Sequence, residues 1–159
     1  MPMKSPLIFG FTLALTVAAV AIAQDTPAVV VDPAIAGMTN EQLVETRQNA
    51  MKQNGMTLRG AASLTGDEAV AAATSLLQNF TNLPDLFREG SITDKSKALP
   101  AIWENWDDFR ARFDHNAEVA ANMLAAAQSG DTATYTAAIE ELGKSCGACH
   151  DTYRARQGS

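Results

Sequence analysis

The longest periodic stretch of the chain is AIWENWDDFRARFDHNAEVAANMLAAAQSG, residues 101–130. Its apolar side chains recur at steps of three and four residues, the spacing that places them on one face of an α-helix. Pro100 suits the first turn of this helix, because a backbone N–H would have no partner there. We therefore predict one long helix, helix C, from Pro100 to Gly130. The members of the apolar stripe are Ile102, Trp106, Phe109, Phe113, Ala117, Ala120, Leu124 and Ala127.

Three further stretches carry helical periodicity and have capping residues at their start. We assign helix A to residues 39–61, helix B to residues 65–83 and helix D to residues 132–154. No stretch alternates with the two-residue period of a strand, and glycines and prolines cluster between the helices. The sequence therefore predicts an all-α fold, a four-helix bundle of up-down-up-down topology. Only the connection between helices B and C, residues 84–99, is long.

Residues 1–23 have the pattern of a secretory signal peptide. A positive charge, Lys4, precedes the apolar run PLIFGFTLALTVAAVAIA, which ends in the small-x-small sequence Ala21-Ile22-Ala23. A permanent membrane anchor is the alternative, because the run is nearly long enough to span a bilayer. The polar residues that follow favour cleavage near Ala23, which predicts a periplasmic protein without a stable membrane anchor. Residues 24–38 contain two prolines and a glycine and are expected to be an extended N-terminal segment.

The composition is acidic, with 18 Asp and Glu against 12 Lys and Arg. The formal net charge of −6 becomes −7 once the leader and its Lys4 are removed. An acidic chain without a basic cluster is not expected to bind nucleic acid, and its net charge favours partner proteins with basic docking faces. The domain at residues 39–159 is long enough for one core. The two cysteines allow at most one disulfide, which excludes a disulfide-rich scaffold.

Both cysteines lie in the stretch SCGACH, residues 145–150. On helix D, Cys146, Cys149 and His150 occupy positions i, i+3 and i+4, so they share one helix face. The apolar stripe of helix D lies on the same face, so the motif is expected to face the interior of the bundle. The pattern C-x-x-C-H is typical of c-type haem attachment. Two thiols bind the vinyl groups, and the imidazole ligates the iron.

Two other chemistries use similar residues. A thiol–disulfide oxidoreductase places its C-x-x-C at a helix N-terminus beside a βαβ unit, where the helix dipole lowers the thiol pKa. Here the motif is near the C-terminus of a helix in a chain without strands. Structural zinc needs four ligands, and only His115 remains as a further nitrogen or sulfur ligand of the usual kind. Its position, away from the buried stripe of helix C, instead predicts a solvated surface histidine.

The tail DTYRARQGS after the motif contains no second axial ligand, so such a ligand must come from upstream. The C-terminal sequence CGACHDTYR, on a four-helix chain with a leader, resembles the class II cytochromes c, the cytochrome c′ and cytochrome c-556-type family. ETRQNAMKQNGMTL is similar to the first helix of that family, LPDLF to its middle loop and ALPAIWENWDDF to the start of its third helix. The resemblance implies one covalent haem c per chain and a homodimer through helices A and B.

The resemblance also implies roles for three further residues. Met51 occupies the position that faces the iron opposite the proximal ligand His150. Arg47, one turn earlier on helix A, would pair with a haem propionate at the rim. Arg154 would lie near the proximal side and reach a propionate or influence the imidazole. From the residues alone, Met51 could equally be core packing, and Arg47 could be a side chain that extends to water.

Other residues have open assignments. Met56 and Met123 fit helical cores and are reserve ligands. Trp106 and Phe109 are expected to pack near the porphyrin or elsewhere in the core, and Trp103 to serve a subunit contact.

The family contains two behaviours. Its low-spin members carry electrons with a methionine from the first helix as distal ligand, and its five-coordinate members bind small gases such as NO or CO. Methionine at the position of Met51 occurs in both, but the sequence MKQNG, residues 51–55, is more similar to the low-spin members. We therefore expect a single-electron carrier that turns over no substrate, for which redox proteins are the partners. A gas-binding cytochrome c′ is the alternative.

Overall fold

The computed structural model describes residues 29–156, so the predicted signal peptide lies outside the described residues. This part of the chain folds into helices joined by short connections and one long loop. No helix within it is both long enough and apolar enough to cross a membrane. The α-helices are α1 (Asn40–Ala61), α2 (Gly66–Asn82), α3 (Ala101–Glu104), α4 (Trp106–Ser129) and α5 (Thr132–Tyr153), and the 3-10 helices are Pro33–Gly37 and Pro84–Leu86.

Two helix starts follow the capping residues of the sequence. At α1 the backbone N–H of Gln42 donates to Thr39 Oγ1 (3.3 Å), and the N–H of Thr39 donates to Gln42 Oε1 (2.8 Å), which is the predicted capping box. At α5 the carboxylate of Asp131 accepts from the backbone N–H of Thr134 (3.1 Å) and from its hydroxyl (2.7 Å). Gly130 allows the sharp connection between α4 and α5, because its φ of 74° is one that glycine adopts without strain.

The prediction of one continuous helix C was wrong. Asn105, with φ −129° and ψ 47°, leaves the helical region and separates α3 from α4. The carbonyl of Ala101 accepts from both the backbone N–H (3.1 Å) and the side-chain amide (3.2 Å) of Asn105, so the residue that breaks the helix also caps the end of α3. The apolar spacing continues across Asn105, and periodicity therefore gave no sign of the break.

The N-terminal segment also differs from its prediction as extended chain. Residues 33–37 form a 3-10 helix, whose start is capped by Asp32 through the backbone N–H of Ala34 (2.9 Å). Ile35 anchors this turn in the core, with 4% of its surface exposed.

The packing of the long helices leaves an opening on one side of the bundle. Helix α2 packs extensively on α4, and α4 on α5, whereas α1 touches α5 only sparsely. An aromatic cluster fills the interior next to this opening. Within it, the ring of Phe109 lies 4.8 Å from that of Phe87, and 5.1 Å from those of Phe113 and Tyr153. The sparse contact between α1 and α5 positions a cleft between the two helices that carry the predicted site residues.

Candidate haem site

A cleft of about 330 Å³ is bounded by α1, the loop at residues 84–99, the start of the α3–α4 region and the end of α5. It contains five of the six predicted site residues; Cys146 is the exception. The helices at opposite ends of the described chain thus meet at one site. The lining residues are Arg47, Gln48, Met51, Lys52, Phe87, Lys97, Ala98, Ile102, Phe109, Cys149, His150, Tyr153 and Arg154.

The cysteine motif occupies the last two turns of α5. Cys149 is buried and His150 is half-buried, and both line the cleft. Cys146 lies one turn earlier and is also half-buried. Both thiols are free, with no disulfide between them. The motif therefore places one thiol and the imidazole in the cleft wall, with the second thiol one turn earlier on the same helix, a residue set that suits covalent haem attachment.

The electrostatics of the motif do not suit a redox dithiol. Burial is the largest cause that raises the pKa of the Cys146 thiol, and it is also the largest cause that raises the pKa of the Cys149 thiol. Catalytic dithiols need the opposite shift, because the thiolate is the nucleophile. For His150, burial and then the charge of Arg154 lower the imidazole pKa. The neutral imidazole that results is the form that ligates metals.

Of the methionines in the described part of the chain, Met51 alone lines the cleft. Met56 points to solvent with 51% of its surface exposed, and Met123 is fully buried in the core. The sulfur of Met38 accepts a hydrogen bond from the hydroxyl of Thr46 (3.8 Å). Neither reserve ligand therefore lines the cleft, whereas Met51 of α1 does.

Arg47 lies in the cleft wall, but most of its hydrogen-bonding capacity is directed into the protein. Its Nη1 donates to the carbonyl of Leu86 (3.0 Å) and to Ser91 Oγ (2.8 Å), and its Nη2 donates to the carbonyl of Ser91 (2.7 Å) and to Ser96 Oγ (2.9 Å). The guanidinium also lies 4.5 Å from the centre of the Phe87 ring. Four of its five N–H groups therefore fasten the 84–99 loop to α1, a role that the sequence did not predict.

Burial lowers the pKa of Arg47 to about 10, so the side chain keeps its charge at neutral pH. Its pairing with a haem propionate stays a prediction. The Nε–H is the one donor of the guanidinium that does not bond to the loop, so it would make that contact.

Arg154 follows the last turn of α5 in extended conformation. Its backbone N–H donates to the carbonyl of His150 (3.2 Å), and its side chain is exposed at the cleft mouth. An isolated antiparallel bridge pairs it with Ala98 of the loop, flanked by bonds from Leu99 N to the carbonyl of Tyr153 (3.0 Å) and from Ala155 N to the carbonyl of Lys97 (2.9 Å). The loop and the end of α5 therefore form one edge of the cleft.

The aromatic residues have divided roles. Phe109 lines the cleft, whereas Trp103 and Trp106 line a second cavity of about 680 Å³ beside the N-terminal 3-10 helix. The indole N–H of Trp103 donates to the carbonyl of Phe87 (3.0 Å). His115 is an exposed surface residue, as predicted, and its Nε2 lies 3.0 Å from Glu141 Oε1.

Sequence reasoning missed the loop residues of the site and two lysines at its mouth, Lys52 and Lys97. Gln48 was missed as well; its side chain donates to the carbonyl of Lys95 (2.8 Å). No motif singles these residues out, because they become neighbours only when the loop folds over the cleft. Taken together, the site fits a haem c. It combines thiols and an imidazole with a thioether, an aromatic floor and cationic side chains suited to carboxylates.

Comparison with known proteins gives the same assignment. The model of the family described as cytochrome C′ matches residues 39–154. Cytochrome c-556 of Agrobacterium tumefaciens (strain II Chrys) is 41% identical over 121 residues, which cover 72% of this chain and 98% of the relative. The cytochrome c′ of Rhodospirillum rubrum is 31% identical over 157 residues, covering 96% of this chain and 99% of the relative.

A solved structure confirms the predicted bundle fold. The cytochrome c′ from Thermochromatium tepidum superimposes with a TM-score of 0.68, covering 75% of this chain and 98% of its own. The two chains are 23% identical, so this likeness concerns the fold alone.

Proposed function

Because the chain belongs to the cytochrome c′ family of class II cytochromes c, and so binds one covalent haem c, we propose that it carries single electrons between redox proteins of the periplasm. The proteins of this family are periplasmic haem proteins that are not enzymes. In this proposal His150 is the proximal ligand and Met51 the distal ligand of a six-coordinate iron.

The observation that carries the proposal is the position of Met51. It supplies a thioether to the cleft that Cys149 and His150 line from α5, and no other methionine of residues 29–156 lines that cleft. A methionine ligand favours ferrous iron and raises the reduction potential. It also occupies the coordination position that a small gas would need.

The haem supplies one-electron redox chemistry when it is bound, and the chain supplies attachment, ligation and shielding. Cys146 and Cys149 would hold it through thioether bonds. Burial, more than any other cause, lowers the pKa of the His150 imidazole, which favours the neutral form that ligates iron. The buried side chains of Ile102 and Phe109 exclude water from the cleft wall, and a low-dielectric wall is one of the levers that set a haem potential.

The ferric spin state of the purified protein tests the proposal. We expect a low-spin spectrum near neutral pH, with the weak near-infrared band of sulfur-to-iron charge transfer. Met51→Ala should convert the iron to high spin, admit CO to the ferrous form and lower the reduction potential, because the soft donor is lost. Met56→Ala is the matched control, since it removes an exposed methionine of the same helix and should leave all three properties unchanged.

Two results would contradict the proposal in different ways. A high-spin wild type would assign the chain to the five-coordinate members that bind gases such as NO or CO. A low-spin spectrum that persists in Met51→Ala would show that another residue is the distal ligand.

The assembly and export of the chain are also proposals. Some proteins of this family form dimers, and a homodimer of this chain through α1 and α2 remains a prediction. Export with cleavage near Ala23 is supported by the signal-peptide pattern of residues 1–23.

A further inference from the structure

The charge at the haem cleft is opposite in sign to that of the whole chain. Four basic residues line the cleft, and no carboxylate does, although the chain has a formal net charge of −6. One of the four, Arg47, is buried and bonded to the loop. The other three, Lys52, Lys97 and Arg154, have exposed side chains, and we call them the basic rim.

The backbone holds the three residues of the basic rim around one opening. Arg154 forms the bridge with Ala98, and the carbonyl of the preceding loop residue, Lys97, accepts from the N–H of Ala155 (2.9 Å). Lys52 lies on α1 one turn after Gln48, whose amide donates to the carbonyl of Lys95 (2.8 Å) and so ties α1 to the same loop. Cations from three segments of the chain are therefore gathered at one mouth.

Neighbouring carboxylates do not neutralise the basic rim. Within residues 29–156, none of its three side chains forms an ion pair with a carboxylate. Asp108, near the floor of the cleft, is paired with Arg112 at 2.8 Å and accepts a hydrogen bond from the hydroxyl of Tyr153. Asp151 is exposed beside His150 but does not line the cleft.

Salt screens exposed charges beyond about 8 Å at physiological ionic strength. A protein docked over the cleft would therefore experience the nearby rim more strongly than the distant acidic surface. Charge complementarity between docked faces steers association and fixes orientation.

We propose that the basic rim is the docking surface for an acidic face of a redox partner protein. This inference rests on the proposed function, since electrons must enter and leave where the haem cleft reaches the surface. It replaces the expectation of partners with basic faces, which followed from net charge alone.

The test measures the sign of the charge that an approaching redox reagent experiences. Ferrous holo-protein is oxidised in a stopped-flow instrument by anionic ferricyanide and, separately, by cationic tris(phenanthroline)cobalt(III), across a range of ionic strength. We expect added salt to slow the reaction with ferricyanide and to accelerate the reaction with the cobalt complex. If the net charge of the chain governed the reactions, added salt would accelerate the reaction with ferricyanide and slow the reaction with the cobalt complex. Poly-L-glutamate should slow ferricyanide oxidation by covering the rim, and poly-L-lysine should not.

Matched double variants locate the effect. Lys52→Gln with Lys97→Gln should slow ferricyanide oxidation at low salt by about threefold to tenfold and remove most of its salt dependence. Arg59→Gln with Lys144→Gln removes the same charge from exposed positions outside the cleft and should leave both unchanged.

The midpoint potential separates docking from a role toward the haem itself. If the two lysines serve docking, their substitution should leave the midpoint potential unchanged. If they only neutralise the propionates, their substitution should shift the potential and leave the salt dependence of the rates as in the wild type. That second pattern would overturn the proposal, as would a wild-type ferricyanide rate that rises with salt. A high-spin ferric spectrum would instead refute Met51 ligation, and the salt dependence would still report on the rim.

Discussion

Replacing Arg47 with leucine should loosen the 84–99 loop and destabilise the whole protein. Leucine is apolar and makes none of the four hydrogen bonds of the guanidinium. The hydroxyls of Ser91 and Ser96 can rotate toward other partners, but the carbonyls of Leu86 and Ser91 cannot. The variant therefore leaves two carbonyl oxygens beneath the loop without their donor.

The size of the effect follows from those two oxygens. Each buried polar group left without a partner costs about 1–3 kcal/mol, for a total of about 2–6 kcal/mol. Removing the buried charge offsets part of this cost, because the same burial that lowers the pKa of Arg47 to about 10 also opposes its charged form. We expect a net loss of about 2–4 kcal/mol, which places Arg47→Leu among the large single-substitution effects.

Urea denaturation of ferric holo-protein, followed by far-UV circular dichroism, measures the loss. With a slope of about 1–3 kcal/mol per molar urea, the midpoint should fall by about 0.7–4 M. Amide hydrogen exchange should accelerate in residues 84–99 more than in the helices. Arg110→Leu is the control, because Arg110 is exposed and only 3.8 Å from Asp114 in a surface pair. Such pairs contribute about 0–1 kcal/mol.

A midpoint equal to that of the control, with unchanged exchange in the loop, would refute this account of Arg47. If the reduction potential shifted while stability did not, the residue would act on a propionate alone.

Two other predictions concern α5. Haem should remain with the wild-type chain through denaturation and acidic organic extraction, whereas Cys146→Ala with Cys149→Ala should leave it extractable or absent; covalent haem in that double variant would refute the attachment. Hydrogen bonds from Thr134 lower the pKa of Asp131, so the carboxylate stabilises the fold above its unfolded pKa of about 3.8 and loses this contribution as pH falls through the lower folded value. The wild type should therefore exceed Asp131→Asn in urea midpoint at about pH 6, and the difference should vanish in strong acid. A difference that persists in acid would show that the charge is not responsible.

Features of the fold that depend on neighbouring residues could be predicted from the sequence. The capping box joins Thr39 and Gln42, which are three positions apart, and the cap at Asp131 acts within one turn. The break at Asn105 could not, because the apolar spacing continues on both sides of it. At the break Asn105 has a non-helical backbone conformation, and nearby the indole of Trp103 bonds to the loop. Both features depend on tertiary structure.

The same distinction applies to the site. Cys149 and His150 are adjacent in the chain, so their closeness follows from the sequence, whereas their place in the cleft depends on how α5 packs. The basic rim joins residues up to 102 positions apart, from Lys52 to Arg154. Net charge averages over all residues and therefore does not report the cluster of basic residues at the cleft mouth.

Two buried polar residues of α1 illustrate why a polar residue on an apolar helix face does not by itself indicate a binding site. Arg47 and Asn54 are both polar residues on the buried face of α1, and both are 3% exposed. Only Arg47 lines the cleft; Asn54 instead accepts a hydrogen bond from the side chain of Asn79 on α2 (2.7 Å). A buried polar side chain requires a partner, because leaving it unpaired costs free energy. The sequence alone does not identify that partner. The packing of the helices makes it the loop for Arg47 and Asn79 for the Oδ1 of Asn54, whose buried Nδ2 has no partner among the described residues.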